Sequence, residues 1–276
     1  MRKLTQALLL AGVVGMPAIA VADEAPVHTF TGNMGFVSNY VFRGLTQSWA
    51  NPAVQAGLDY AHASGFYAGT WASSISDKEY NNTNMEWDFY AGYNGKINDD
   101  MGWGVGAIQV WYPDGYYDAL GTPGYGEQKY NTQELNASFN YKFFSVKYSH
   151  TLTNLFGLSD KNYFSALDTT GETVPTGSTK GSQYLEANVN YEIMDKLTLG
   201  LHVGHQKVKN ASHYDYTDYK ISLNKELPKE MFGLNVGLAY SDTDAKKEAW
   251  TALAPYGGAT KFLGDSAWVL SVSKTF

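Results

Sequence analysis

The residues best able to do chemistry in this sequence are charged side chains that alternate with apolar ones. In one such stretch, Glu86 and Asp88 alternate with Trp87 and Phe89. Successive side chains of an extended strand point to opposite faces, so such a stretch has one polar and one apolar face. The charged or titratable residues predicted on polar faces are Arg43, Asp59, Glu86, Asp88, Glu134, Lys147, Glu186, Glu192, His202, Asp218 and Lys220. Their spread over many strands favours a solvated inner wall over a catalytic cluster.

Patterns for catalysis or metal binding are weak. The tripeptide at residues 264–266 (Gly-Asp-Ser) lacks the flanking glycine of an esterase nucleophile motif. His150, His202, His205 and His213 could serve a Ser–His lipid hydrolase, but no serine is tied to them by spacing. His202 and His205 face opposite sides of one strand and therefore do not form a metal pair. The chain has no cysteine. We expect no catalytic residue, no metal and no cofactor, so the sequence predicts a protein that is not an enzyme.

The alternating pattern recurs in about twelve segments, which is an even number. Each is about as long as the ~9–11 residues that a tilted membrane strand needs. The connections are alternately short and long, and long ones cover residues 113–129, 154–181 and 241–262. Transmembrane barrels have short periplasmic turns and long external loops. The sequence therefore predicts an all-β fold, a transmembrane antiparallel up-and-down β-barrel of about 12 strands.

Aromatic residues near the predicted strand ends would form the interfacial girdles of such a barrel. They are Tyr40, Phe42, Trp87, Tyr93, Tyr141, Tyr191, Tyr219 and Tyr240. The last strand has Trp268, Leu270 and Val272 on one face and ends at Phe276. The sequence predicts that this strand closes the barrel, with outer-membrane lipid and the barrel-assembly machinery as its partners. The final strand of a secreted soluble sandwich is the alternative.

The first 22 residues have the features of a secretory signal peptide. Arg2 and Lys3 precede a largely apolar run that ends in Ala20-Val21-Ala22. We predict cleavage after Ala22, an outer-membrane barrel domain over residues 23–276 and a Gram-negative outer-membrane location. Without Arg2 and Lys3, 18 basic residues stand against 27 acidic ones, a net charge of −9. This charge gives no support for nucleic-acid binding.

Four stretches near the start of the mature chain carry a resemblance to a known family. They are SNYVFRGLTQS (38–48), PAVQAG (52–57), GFYAGTWAS (65–73) and EWDFYAGY (86–93). The chain resembles the TorF-like family of proteobacterial outer-membrane porins, a family long described as a domain of unknown function. The resemblance implies an outer-membrane barrel and brings no substrate with it.

The predicted function is an outer-membrane channel for passive diffusion of small hydrophilic solutes. On the predicted inner face, seven acids stand against four bases if Lys274 is counted with Arg43, Lys147 and Lys220. We therefore expect a weak cation preference. The loop at 113–129 either folds inward as a constriction or stays outside with its tyrosines packed together. The alternatives are an outer-membrane lipid-modifying hydrolase and a surface receptor or adhesin carried by the loops at 154–181 and 242–262.

Overall fold

A computed structural model of the chain describes residues 26–117, 128–162, 173–254 and 258–276. The predicted signal peptide lies outside the described residues. The division of the chain at residue 22 therefore stays a prediction.

Strands dominate the described residues because apolar and polar side chains alternate along them with a period of two. The strands are β1 (His28–Val37), β2 (Val41–Phe42), β3 (Leu45–Thr46), β4 (Ala53–His62), β5 (Phe66–Ser74), β6 (Met85–Lys96), β7 (Met101–Trp111), β8 (Thr132–Tyr141), β9 (Phe144–Thr151), β10 (Gln183–Met194), β11 (Leu197–Lys207), β12 (Tyr216–Glu226), β13 (Asn235–Thr243), β14 (Thr251–Leu253), β15 (Thr260–Phe262) and β16 (Ala267–Thr275). A one-turn helix, α1 (Lys247–Trp250), precedes β14, and single 3₁₀ turns cover Leu155–Gly157, Ser212–Tyr214 and Lys229–Met231.

Twelve of these strands form one closed antiparallel barrel. The order around the barrel is β1-β16-β13-β12-β11-β10-β9-β8-β7-β6-β5-β4, so each barrel strand pairs with the previous and the next barrel strand along the chain. The short pairs β2–β3 and β14–β15 form separate hairpins. The predicted fold class, an antiparallel barrel of about twelve strands, is confirmed.

The barrel closes between its first and last strands. Phe36 of β1 lies opposite Val272 of β16 in the antiparallel register. The backbone N–H of Phe276 donates to the carbonyl of Gly32 at 2.8 Å, and the N–H of Gly32 donates back at 3.3 Å. Closure leaves no unpaired sheet edge between these strands.

The two faces of the barrel differ in chemistry as the alternation predicts. Val54 and Leu58 of β4 and Trp268 of β16 are exposed on the outer face. Gln55, which lies between Val54 and Leu58 along β4, is buried inside. The outer face also carries six of the aromatic residues expected in girdles, namely Trp87, Tyr93, Tyr141, Tyr191, Tyr219 and Tyr240, the last with its ring 5.1 Å from that of Trp268. Lys274, counted above with the inner bases, is on the outer face instead. It pairs in register with the exposed Met34, and its Nζ lies 5.4 Å from the ring of Phe276.

Connections at the two ends of the barrel differ in length. One end has the short turns at residues 63–65, 97–100, 142–143, 195–196 and 227–234, and the other has the long connections. The long connections pack on one another around Tyr214 and Trp250, whose rings are 5.2 Å apart edge to face. In the described part of the chain, no helix is long and apolar enough to cross a membrane.

The alternation of apolar and polar residues in the sequence runs from residue 29 to residue 43, whereas β1 ends at Val37. Ser38 ends β1 by binding the backbone of Leu270 through both its N–H and its hydroxyl, each at 2.9 Å. The chain then turns away from the sheet, so Tyr40 is buried and not part of a girdle. Phe42 likewise faces the interior, where it lies 6.1 Å from Phe156. Apolar and polar residues continue to alternate through this stretch, so it is the tertiary contacts that turn the chain into the barrel.

Candidate functional site

Residues 38–51, here called the inward-folded segment, lie inside the barrel. Its side chains contact inward-facing residues of strands that are far apart in the barrel. Tyr40 donates to Glu86 on β6 at 2.8 Å, and Arg43 reaches Glu134 on β8. On the far side, a side chain placed on Gly44 would come within 2.6 Å of Asp218 on β12. The segment therefore crosses the lumen and narrows it.

A tight turn gives the inward-folded segment its shape. β2 and β3 pair as a minimal hairpin with Arg43 and Gly44 at its tip. Both tip residues have positive φ, of 47° and 77°. The side chain of Asn39 binds the base of the hairpin, where its Oδ1 accepts from Thr46 at 2.6 Å. Tyr80 of the next long loop donates its hydroxyl to the side-chain oxygen of Gln47. These contacts anchor the segment at both ends of the hairpin.

Arg43 is the central contact between the segment and the barrel wall. Its guanidinium makes two hydrogen bonds to the Glu134 carboxylate, at 2.9 and 2.7 Å, and a third to Gln206 at 3.2 Å. The same group lies 4.2 Å from the centre of the Tyr184 ring. Paired, planar contacts of this kind are what arginine makes better than lysine.

Strands β8 to β12 carry what we call the charge-paired wall, in which acids face bases. It consists of Glu134, Lys147, Glu186, His202, Asp218 and Lys220. Lys147 binds Glu186 at 2.6 Å, and Nε2 of His202 lies 2.9 Å from Asp218. Tyr184 donates to the second oxygen of Asp218 at 2.8 Å, and Nδ1 of His202 is 2.7 Å from Asn188. Acidic and basic side chains of this wall are thus in direct contact.

Strands β4 and β6 carry a second group, here called the acidic wall, which is made of Asp59, Glu86 and Asp88. Tyr90 donates to Asp59 at 2.6 Å, and Glu86 accepts from Tyr40 and Tyr112 at 2.8 and 2.9 Å. Asp88 is only 4% exposed, and its Oδ1 has no hydrogen-bond partner among the described residues. None of the ion pairs between described residues includes a member of this wall.

A cavity of about 90 Å³ lies between the inward-folded segment and both walls. Eight of the predicted inner residues line it, namely Arg43, Asp88, Glu134, Lys147, Glu186, His202, Asp218 and Lys220. The other three lie apart from it. Glu86 is buried behind Tyr40 and Tyr112, and Asp59 lies further along the lumen beside Tyr90. Glu192 is exposed at the short-turn mouth, where it accepts the N–H of Lys196 at 3.0 Å.

Sequence reasoning missed several residues of this site. Tyr184, Gln206 and Tyr90 share the inward parity of the charged residues on their strands, so the alternation could have identified them. Gly44 and Tyr40 could not have been found in this way, because their positions depend on the inward fold of residues 38–51.

The loop at 113–129 does not supply the constriction in its described part. Tyr112 stacks on Tyr80 with ring centres 4.7 Å apart, and Tyr117 lies 4.3 Å from Tyr130. These tyrosines pack together at the end of the barrel that has the long connections. Asp118, Tyr125 and Glu127 lie outside the described residues. The narrowing comes instead from the inward-folded segment.

The residues considered for catalysis are dispersed. Ser266 is exposed at the start of β16, His205 is exposed and hydrogen-bonds to Thr217 at 3.1 Å, and His150 lies beside Tyr148. Among the described residues, no group of three or more His, Cys, Asp or Glu side chains is arranged to hold a metal ion. What the described residues do bring together is a cavity lined by charged side chains.

Comparison with known proteins gives a family. The sequence profile of Gcw_chp, described as a bacterial protein of unknown function, matches residues 21–276. The chain belongs to the Gcw_chp family. No curated protein matches this family member.

Among solved structures, this Gcw_chp chain is similar to β-barrel porins. The KdgM porin has a TM-score of 0.49 and 10% identity over 90% of this chain and 99% of its own. The NanC porin has the same TM-score and identity over 90% of this chain and 98% of its own. Acinetobacter baumannii OccAB2 is similar at a TM-score of 0.38 and 11% identity, over 82% of this chain and 55% of its own. These identities are too low to assign a solute.

Proposed function

We propose that this Gcw_chp protein is an outer-membrane channel for the passive diffusion of small hydrophilic solutes. The observation that carries the proposal is a closed barrel that is apolar outside and charged inside, with a cavity beside an inward-folded segment. A polar interior enclosed by a closed sheet is the arrangement through which membrane barrels pass water-soluble molecules.

The outer surface supports a place in lipid. Leu223, Leu238 and Leu270 lie next to one another across β12, β13 and β16, and all three are exposed. A broad apolar surface of this kind is unfavourable in water and favourable against acyl chains. The barrel strands have 8 to 12 residues, close to the ~9–11 of a tilted membrane strand. With the predicted signal peptide, this supports export to the outer membrane and assembly there by the barrel machinery.

The resemblance at residues 38–93 supports the same proposal in a finer form, a TorF-like porin. The first matched stretch, at 38–48, lies in the inward-folded segment, and the last, at 86–93, carries Glu86 and Asp88 of the acidic wall. The resemblance is not confined to strand residues that any barrel would share.

The charges along the cavity support a weak cation preference. Asp88, Glu134, Glu186 and Asp218 line it together with Arg43, Lys147 and Lys220, which leaves an excess of one negative charge when His202 is neutral. A single excess charge attracts cations modestly, and added salt screens it.

Conductance in planar bilayers tests the channel. Purified, refolded protein should give discrete steps in KCl, and a KCl gradient should give a reversal potential of the sign expected for cations. Substitution of Asp88 by Asn should move the reversal potential toward zero, which is the value for a channel without ion selectivity. Intact refolded barrel that gives no conductance steps would overturn the proposal, and a clear anion preference would overturn its selectivity.

The dispersed Ser and His residues favour a channel over a lipid hydrolase. We propose that the protein is not an enzyme and has no cofactor. A serine-directed fluorophosphonate should leave the refolded protein unlabelled, and stoichiometric labelling with phospholipid turnover would support the hydrolase instead.

A further inference from the structure

The two walls of the lumen differ in how their charges are balanced. On the charge-paired wall, each of Glu134, Glu186 and Asp218 lies within 3 Å of a basic side chain. On the acidic wall, Asp59 and Glu86 are held by tyrosine hydroxyls, and no ion pair between described residues includes Asp88. Among the described residues, the carboxyl groups on this side of the barrel therefore have no base paired with them.

Asp88 is the member of the acidic wall that points to a ligand. It is more than nine-tenths buried, it lines the cavity, and its Oδ1 has no hydrogen-bond partner among the described residues. Burying a carboxylate without a partner is costly unless a cation or a proton accompanies it. A buried polar atom left unsatisfied in this way calls for an explanation, and an ion or ligand is a common one.

The arrangement of the cavity explains why no base among the described residues fills this role. In the barrel order, β6 and β12 are separated by five strands on either side, so Asp88 and Lys220 face each other from opposite sides. Arg43, the base on the segment between them, has its guanidinium bound to Glu134 and Gln206. The bases that line the cavity are thus on its far side or bound to other acids.

Tyrosine side chains line the cavity together with Asp88. Tyr40, Tyr67 and Tyr90 line the same cavity, and Tyr90 is the next inward residue after Asp88 on β6. The Tyr90 hydroxyl donates to Asp59, so its hydroxyl oxygen is directed to a second carboxylate. Aromatic faces beside a carboxylate are the surroundings in which proteins hold ammonium groups. The cavity, at about 90 Å³, has room for roughly six to nine water molecules and so for a small organic cation.

We infer that Asp88 is the binding residue of a lumen subsite for small solutes that carry an ammonium group, with the rings of Tyr67 and Tyr90 beside it. This inference rests on the proposed channel, because it takes the cavity as part of the solute path. It gives the channel a solute class, namely primary amines in their charged form.

Two measurements on the same refolded protein test the subsite, with ethanolamine hydrochloride at neutral pH as the probe. The first is binding to the protein in detergent micelles by isothermal titration calorimetry, which does not require conductance. The second is block of the KCl current in planar bilayers. Sodium gluconate serves as the anionic comparison.

The expected result is saturable ethanolammonium binding and a concentration-dependent block in the parent protein. Asp88→Asn should weaken both at least about tenfold, a loss of about 1.4 kcal/mol. Glu192→Gln removes the same charge from the exposed short-turn mouth and should leave both unchanged. Gluconate should neither bind nor block.

The outcomes separate the subsite from the channel. Equal binding in the parent and in Asp88→Asn, or no binding at all, overturns the subsite even if the protein conducts KCl. Binding that depends on Asp88 in a protein without conductance supports the subsite and overturns the channel. If Asp88→Asn fails to refold, Asp88→Glu retains the carboxylate and should still bind, whereas Tyr90→Leu should weaken binding. An unchanged affinity in Tyr90→Leu would contradict the aromatic part of the subsite.

Discussion

Arg43 of the inward-folded segment and Glu134 of β8 are joined by two parallel hydrogen bonds, of 2.9 and 2.7 Å, between guanidinium and carboxylate. Both side chains are less than 10% exposed. This pair ties a segment that crosses the lumen to a strand of the barrel wall, and so holds that segment in place.

Removing the Arg43 side of this pair should widen the channel. Arg43→Gln leaves Glu134 buried without its cation, so the segment loses its main attachment, and we expect larger single-channel conductance. The coupling between the two residues should be about 1.5–3 kcal/mol in a double-mutant cycle of unfolding with Glu134→Gln. Arg43→Lys, which retains the charge but not the paired geometry, should be intermediate. Parent-like conductance in Arg43→Gln would contradict the assignment of the segment as the constriction.

A side chain at Gly44 should displace the hairpin tip. Gly44 has a φ of 77°, and an added Cβ would lie 2.6 Å from Cβ of Asp218. Gly44→Ala therefore combines a backbone cost of about 1 kcal/mol with a steric clash. We expect lower thermal stability and altered conductance.

The matched control for that substitution is Gly233→Ala. Gly233 also has a positive φ, of 58°, but an added Cβ there meets nothing within 4 Å. It should show the backbone cost alone, measured by thermal unfolding, and leave conductance unchanged. The same conductance change in both variants would mean that crowding against Asp218 is not the cause.

Arginine substitutions on the two faces of β12 should have different costs. Leu223 is exposed on the outer face, whereas Asn224 faces the lumen and donates to Ser222 at 3.3 Å. Leu223→Arg should destabilise the barrel by about 2–4 kcal/mol if that face meets the middle of a bilayer. Asn224→Arg should cost much less. Refolding titrations in lipid vesicles measure both, and equal costs would argue against lipid on the outer face.

Glu79 should make stability depend on pH. It is buried in the connection between β5 and β6, its Oε2 has no partner among the described residues, and burial, with the nearby Glu86 charge, raises its pKa well above the ordinary 4.5. Below pH 4.5 both the folded and the unfolded chain hold the proton. As the pH rises through and above 4.5 the unfolded chain loses it first, so the folded state loses relative stability until the folded pKa is passed.

Glu79→Gln should therefore stabilise the protein at pH 8 and have little effect at pH 3.5. The expected gain in unfolding free energy at pH 8 is about 1.4 kcal/mol for each unit by which folding raises the pKa of Glu79. Thermal unfolding in detergent at several pH values measures this. The exposed Glu230 in a short turn provides the control, because Glu230→Gln should change little at any pH. A stabilisation by Glu79→Gln that is the same at both pH values would disprove the role of ionisation.

Phe276 should contribute to barrel assembly. Its backbone completes the closing register with Gly32, and its side chain is 67% exposed at the end of the outer apolar row. Phe276→Ala keeps the backbone bonds and removes the ring, so we expect less folded barrel in the outer membrane with export unaffected. The heat-modifiable band on a gel is the readout, with Phe276→Tyr as the conservative control. Parent-like levels for Phe276→Ala would show that the ring is dispensable.

The sequence by itself determined the barrel and the orientation of its strands. A period of two in β4, β6 and β12 defines which face carries Gln55, Asp88 or Lys220, because a strand cannot turn one side chain inward without turning its neighbour outward. The same rule would have identified Tyr184 and Gln206. For Lys274, the alternation itself indicated the outer face, and counting it among the inner bases went against that pattern.

Only the tertiary structure decided what narrows the lumen. Tyr40, Phe42 and Arg43 continue the strand alternation, so their local pattern gives no sign that the chain leaves the sheet after Val37. Their positions depend on partners 46 to 163 residues away, namely Glu86, Glu134 and Gln206. The pairing of Arg43 with Glu134 follows from which strands closure places across the lumen, and so does the position of Asp88 Oδ1 away from any hydrogen-bond partner among the described residues. Such long-range contacts are set by the closed sheet as a whole, and no local stretch of sequence encodes them.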